Sequence, residues 1–319
     1  MNVFRNYGFC LMTPVLVVMQ CDAAEKSRTN HVELHEFAKQ HNLSVDTISN
    51  ERVILSNTLT WVSFTSGARR VTFNNLVLFM NGPLLEKEGN WLISVADAGN
   101  VFGPLMDLSP PFNSPSPPLV ILDPGHGGED TGARGRHSTV EKRIALDIAK
   151  RVQRKLKSSG AQVRLTRKKD DTVELGARPL YAMKTGGNIF VSIHLNSSPN
   201  DRAHGVETFV LPSQGFPSTS RTSVSHDACP GNTHDRLNSR LSYFLHKEVL
   251  QSTHANDRGI RRARWKVLRD APCPAVLVEC GFLSNSPEAE KLATRRYRDR
   301  IAQGIADGVL NYISTMSGN

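Results

Sequence analysis

Five prolines fall within the ten residues Ser109–Pro118, a density that rules out helix or central strand there. The run reads as an extended linker at 109–118, and it divides a chain of 319 residues into two unequal parts. Before it, residues 25–108 carry short β-rich runs separated by Gly and Asn turns. These are Arg52-Val-Ile-Leu55, Trp61-Val-Ser-Phe64, Leu76-Val-Leu-Phe79 and Trp91-Leu-Ile-Ser94. His31 to His41 has helical character. This first part is expected to be a small α+β or mostly-β domain without a catalytic constellation.

After the linker, residues 119–319 alternate apolar strands with amphipathic helices. Leu119-Val-Ile-Leu122 is a continuous apolar run, the mark of a strand buried on both faces. Val140, Ile144, Ile148, Val152 and Leu156 recur every fourth residue as one helical stripe, and Gly160 closes that helix. Further strands are expected at 162–166, 188–193, 206–211 and 274–279, with helices near 175–184, 235–250, from Ser286, and 297–313. Strands separated by crossover helices predict an α/β fold, a mainly parallel twisted sheet covered by helices on both faces.

The first residues look like a leader. Arg5 precedes an apolar stretch from about Gly8 to Met19, followed by small residues at Cys21, Ala23 and Ala24. The stretch is too short to span a bilayer and fits a cleavable export signal at residues 1–24, leaving no integral membrane segment after cleavage. Three cysteines remain beyond it, and Cys229–Cys273 is the expected pair, with Cys280 a buried thiol. The formal charge is +9, which suits an anionic partner. Lys and Arg are spread along the chain with no basic run interleaved with aromatics, so nucleic acid is not the expected partner.

Polar groups stand at four places where an α/β sheet gathers its chemistry, the carboxyl ends of strands and the helix that follows one of them. Strand 119–122 runs into Asp123-Pro-Gly-His126-Gly-Gly128, strand 188–193 ends at His194, strand 274–278 ends at Glu279, and Glu141 opens a helix. Two histidines and a carboxylate, with water in a fourth position, make an open zinc site, and a second carboxylate can move the proton of that water. Each residue alone has a plainer reading. His126 could be a turn residue, His194 a satisfied core histidine, and Glu141 the last member of a Ser138-Thr-Val-Glu141 capping box. Glu279 is harder to dismiss, because an unpaired buried carboxylate is costly. A phosphate-cradling glycine loop is excluded, since Asp130 occupies the last glycine position and Glu129 and Asp130 would repel phosphate. His31 and His35 read as a solvated helix face.

Taken together, these segments resemble the zinc-dependent N-acetylmuramoyl-L-alanine amidases of the amidase-3 type, over about Val120 to Ser314. The resemblance rests on Leu122-Asp-Pro-Gly-His-Gly-Gly-Glu-Asp-Thr-Gly-Ala133, Val140-Glu-Lys142 and Leu165-Thr-Arg167. It continues through Val191-Ser-Ile-His-Leu-Asn196, Gly205-Val-Glu-Thr208, Asp257-Arg-Gly-Ile260 and Pro274-Ala-Val-Leu-Val-Glu-Cys-Gly-Phe-Leu-Ser-Asn285. It implies zinc ligands His126, Glu141 and His194, a catalytic Glu279, and cleavage of the amide between the lactyl group of N-acetylmuramic acid and L-alanine. Peptidoglycan is then the substrate and the periplasm or cell wall the location. Arg167, Asn196 and Arg258 are candidate contacts for stem-peptide carboxylates, and residues 25–108 a candidate wall-targeting unit. The long polar segment 212–235 reads as a regulatory flap, which a protein activator would displace, or as a plain surface loop. A zinc peptidase acting on the stem peptide and a non-hydrolytic wall-binding protein are the alternatives.

Overall fold

The computed structural model describes residues 30–107, 117–135 and 139–316; the expected leader, the linker as far as residue 116, and Ser138 lie outside them. The first part of the chain forms β1 (His31–Glu33), α1 (Leu34–Gln40), β2 (Ser44–Ser49), β3 (Arg52–Ser56), β4 (Trp61–Thr65), β5 (Arg70–Phe73), β6 (Leu76–Phe79), β7 (Leu85–Lys87) and β8 (Asn90–Ser94). Short helical turns follow, α2 (Val95–Asp97), a wider turn at Ala98–Phe102, and α3 (Gly103–Met106). The helix expected from His31 thus begins only at Leu34, and His31 lies in a strand paired with Ser94 rather than on a helical face with His35.

Beyond the linker come β9 (Leu119–Pro124), α4 (Glu141–Ser158), β10 (Gln162–Leu165), α5 (Ala177–Thr185), β11 (Ile189–Asn196) and β12 (Val206–Val210). They are followed by α6 (Asp235–Thr253), β13 (Asp257–Arg262), α7 (Lys266–Arg269), β14 (Ala275–Phe282), α8 (Ser286–Ala293) and α9 (Arg295–Ser314). Strands β10, β9, β11 and β14 lie side by side and parallel. Their continuous apolar runs follow from burial on both faces. Val120, Leu122, Val191, Ile193, Val276 and Val278 enter one core with Ile144, Ile148, Val152 and Leu156 of α4 and with α6 and α9. The residues between them, Ile121, Phe190, Ala275 and Leu277, enter a second core beneath α5 and α7. The helical stripe of α4 fell where its spacing put it, and Gly160 follows its C-cap with φ +84°.

Two features depart from the sequence-based expectation. β12 runs antiparallel to β14, making the sheet mixed. The N-terminal strands are also not a separate layer. β6 pairs with β13 at Leu78 and Ile260, so that one sheet of eleven strands runs β10-β9-β11-β14-β12-β13-β6-β5-β4-β3-β2. Only β1, β8 and β7 stand apart, as a three-stranded sheet. Polar contacts reinforce the junction. The Val77 amide donates to Asp257 at 2.8 Å, Arg262 donates to the Phe79 carbonyl at 3.1 Å, and Arg240 donates to the Pro104 carbonyl at 3.1 Å. Phe73 meets the Tyr243 ring of α6 edge-on at 5.5 Å. Apolar residues of both parts belong to one core. The expected Cys229–Cys273 pair is not formed, both thiols being free, whereas Cys280 is a buried free thiol as expected. No helix among the described residues is long and apolar enough to cross a membrane.

Candidate metal centre

Parallel strands β9, β11 and β14 point their carboxyl ends the same way, so His126, His194 and Glu279 emerge on one rim of the sheet. His194 and Glu279 are register neighbours. Glu141, the first residue of α4, reaches the same place. One of its oxygens, Oε1, lies 3.1 Å from His126 Nε2 and 2.9 Å from His194 Nδ1. The three ligand atoms lie within 4.8 Å of one another, the one such group of His, Cys, Asp and Glu found among the described residues. Glu141 is not the closing member of a capping box. Val140 takes the N-cap position, and the Glu141 carboxylate accepts from the amides of Ala133 and Leu195. Burial opposes its ionisation, but the hydrogen bonds from His126 and His194 outweigh that and hold its pKa well below the usual carboxylate range.

The glycine loop serves close packing and not phosphate. A Cβ on Gly125 would meet the His194 ring at 2.3 Å, and one on Gly132, where φ is +63°, would meet Glu141 Oε2 at 2.4 Å. His126 itself takes a left-handed backbone, φ +57°, which turns its ring toward the cluster. Its Nδ1 lies 2.7 Å from Asp130 Oδ2. Burial pulls the His126 pKa down, and Glu141 and Asp130 raise it by more. Asp130 thus orients the imidazole from behind, in the manner of carboxylates that back metal-ligating histidines. Only its mismatch with a phosphate motif marks Asp130 in the sequence.

Glu279 is 5 % exposed, and its Oε2 has no hydrogen-bond partner. Burial, then the neighbouring charges of Glu141 and Glu207, push its pKa well up. An orphaned buried carboxyl oxygen beside two histidines is costly unless something else occupies the site. This donor set, two imidazole nitrogens and one carboxylate oxygen with a second carboxyl alongside, fits an open zinc site.

The three candidate substrate contacts fall differently. Arg167 is buried and donates to the carbonyls of Pro124, Gly125, Lys142 and Lys169, so four of its five N–H groups tie the glycine loop to α4 and to Lys169. Asn196 and Arg258 do come together, but on Glu207: Asn196 Nδ2 donates to it at 2.9 Å and Arg258 Nε at 3.0 Å, with Arg261 adding a third bond at 2.8 Å. Glu207 faces Glu279 across β12 and β14. Arg178 also escaped the sequence reading. It donates to Asp123 and to the His126 carbonyl, and so pins the loop that presents His126. The first part of segment 212–235 lies against the N-terminal strands, with Arg69 donating to the carbonyls of Pro217 and Ser218, and later residues meet the C-terminal part, where Arg264 donates to the Ser225 carbonyl. None of its residues lines the cavity of about 540 Å³ that opens over His126 and His194 between Leu175 and Trp265.

A mixed sheet whose parallel strands β9, β11 and β14 bring His, Glu, His and Glu together at their carboxyl rim defines an α/β protein carrying a candidate hydrolytic metal centre. Residues 120–311 match the profile of the Amidase_3 family, N-acetylmuramoyl-L-alanine amidase. The chain is 34% identical over 218 residues to N-acetylmuramoyl-L-alanine amidase AmiA of Escherichia coli, spanning 61% of this chain and 75% of the relative. It is 34% identical over 194 residues to LytC of Bacillus subtilis, spanning 60% and 35%. Among solved structures, the catalytic domain of CwlV from Bacillus (Paenibacillus) polymyxa superposes with a TM-score of 0.53 at 34% identity, over 62% of this chain and 99% of that one. The CwlD amidase of Clostridioides difficile, solved in complex with the GerS lipoprotein, gives 0.52 at 30% identity, over 62% and 98%. The chain belongs to the N-acetylmuramoyl-L-alanine amidase family.

Proposed function

We propose that this protein hydrolyses the amide between the lactyl group of N-acetylmuramic acid and L-alanine in peptidoglycan, with zinc held by His126, Glu141 and His194. The observation that carries the reading is the convergence of those three side chains, within 4.8 Å, beside a buried Glu279 whose Oε2 has no partner. When bound there, zinc supplies Lewis acidity toward water and a carbonyl oxygen. Glu279 takes the proton of the attacking water and returns it to the departing alanine nitrogen. The water-poor pocket that raises its pKa suits a carboxyl that must release a proton as readily as accept one. Asp130 fixes the ring of His126, while Arg167 and Arg178 hold the loop that carries it.

In this reading residues 119–319 carry the catalysis, and residues 25–108 are a companion whose strands β2 to β6 extend the same sheet. A peptidoglycan substrate calls for export, which residues 1–24 would direct. The CwlD–GerS complex supports an accessory protein partner for this chain as well. Arg258 and Arg261, about a quarter to a third exposed beside Glu207, are the side chains best placed to meet stem-peptide carboxylates. The test is digestion of purified peptidoglycan by the zinc-loaded protein and by Glu279→Ala. New amino-terminal alanine from the first and none from the second is expected. Release of an internal stem-peptide amine instead would make the protein a peptidase.

A further inference from the structure

Trp265 is the exposed aromatic at the site, and the proposed chemistry leaves it without a task. It is 40% exposed in a chain whose two other tryptophans, Trp61 and Trp91, are more covered. Its ring stacks on Phe209 of β12, centroids 5.1 Å apart and planes at 22°, and stands edge-to-face with the His194 ring at 6.5 Å. The stacking fixes the indole, so a ligand meeting it loses little ring freedom. A rigid, exposed indole beside a polar cluster is a binding surface in search of an apolar face.

The substrate of the proposed reaction offers such a face. A pyranose ring presents a patch of C–H groups on one side, and those pack on an aromatic ring while its hydroxyls stay wet. In the muramic lactyl ether only three bonds separate the amide carbonyl carbon from the sugar ring. A carbonyl placed at the His126–Glu141–His194 cluster therefore brings the sugar within reach of an indole one ring-width from His194. Charge favours this assignment of sides. The cavity shared by His194 and Trp265 also carries Asp130 and Glu174, which accept from sugar hydroxyls, while its two cations are engaged elsewhere, Lys266 on Asp270 at 2.7 Å and Arg178 on Asp123 at 2.8 Å. On its other side Trp265 lines a second cavity of about 230 Å³ that holds Arg221 and Arg264, where an acidic stem peptide is the better fit.

We propose that Trp265 is the platform on which the N-acetylmuramic acid ring stacks, making it a specificity residue for the sugar side of the scissile amide. The inference rests on the amidase reading above. Two measurements test it apart from that reading. The first is tryptophan emission during titration with the product disaccharide of N-acetylglucosamine and N-acetylmuramic acid, which requires no turnover. Emission should shift in the wild type and not in Trp265→Ala, where Trp61 and Trp91 remain. A wild type that does not respond, or an equal response in the variant, overturns the platform.

The second compares a disaccharide-peptide with a glycan-free D-lactyl-peptide carrying the same stem. Trp265→Ala should raise KM on the first by about tenfold, the size of one good aromatic contact. Trp265→Phe should recover part of that, and on the lactyl-peptide the variant should add no further loss. Equal losses on both substrates would show that the indole supports the fold or the peptide, and would overturn the sugar assignment. Failure of the amidase reading looks different, since the wild type would then release no alanine amine from either substrate.

Discussion

The two ends of the eleven-stranded sheet come from opposite kinds of sequence. At one end β9, β11 and β14 are apolar almost without interruption, because helices cover both faces, and their polar residues sit at the carboxyl tips. At the other end β3 to β6 run antiparallel, and β3, β5 and β6 alternate in burial, one face in the core and one outward. The first arrangement leaves no room for a charge except at a rim, so the side chains that escape the core gather there. The second spreads its polar residues over an open face, and none of them converge. Chemistry concentrates where burial is most complete.

That contrast can be broken in several ways, the largest effect first. Glu279→Ala should lower alanine-amine release by about 10²- to 10⁴-fold, the usual share of a general acid–base. Its Tm should hold or rise, because the change removes a buried oxygen with no partner. Heat scans alongside the activity assay decide this, and a Tm that fell with the activity would mean that Glu279 is structural.

The far end should break in stability alone. Phe73 is 1% exposed and meets Tyr243 of α6, so Phe73→Ala should cost about 3–5 kcal/mol. The loss should appear in one unfolding transition covering the whole chain. Two separate transitions in calorimetry would mean that the sheet does not act as one unit across β6 and β13. Arg167→Ala lies between the two extremes. Loss of its bonds to four backbone carbonyls should cost about 2–3 kcal/mol and weaken zinc binding in a metal titration, with KM little changed. A selective rise in KM would restore Arg167 as a substrate contact.

The smallest effect concerns pH at the junction. Burial works against the charge on Asp257, but the hydrogen bond and charge of His246, with the amides of Val77 and Gly259, lower its pKa below the ordinary aspartate value. A carboxyl with a lowered folded pKa stabilises the protein above the ordinary range near 4, and that stability fades as pH falls toward the folded value. Denaturant midpoints should therefore drop below about pH 4, and Asp257→Asn should flatten that part of the profile. An unchanged acid slope in the variant would assign it to other carboxylates.

Most of the catalytic half was legible in the sequence because burial on both faces writes itself as unbroken apolar runs. Leu119–Leu122 and Pro274–Val278 announced their strands, and the residues after them announced the site. β13 was hidden, since Asp257-Arg-Gly-Ile-Arg-Arg262 has one apolar side chain and no alternation to read. Missing it concealed the continuity with β6, and so the proline run appeared to separate two units that share a sheet. Arg167 and Glu207 show a different limit. Residue type made the first look like a ligand for carboxylates and gave no hint of the second, and only three-dimensional neighbours reveal that one binds carbonyls and the other gathers Asn196, Arg258 and Arg261. Asp130 was visible, but as a reason to reject phosphate and not as the partner of His126.

The central claim is that His126, Glu141 and His194 form one metal centre, and a crystal of the zinc-loaded protein measured on both sides of the zinc absorption edge tests it most directly. A single anomalous peak bonded to all three side chains, at about 2.0–2.2 Å from nitrogen and oxygen ligands, is the predicted result. No peak there, or zinc held by other residues while the three remain hydrogen-bonded to one another, would contradict it.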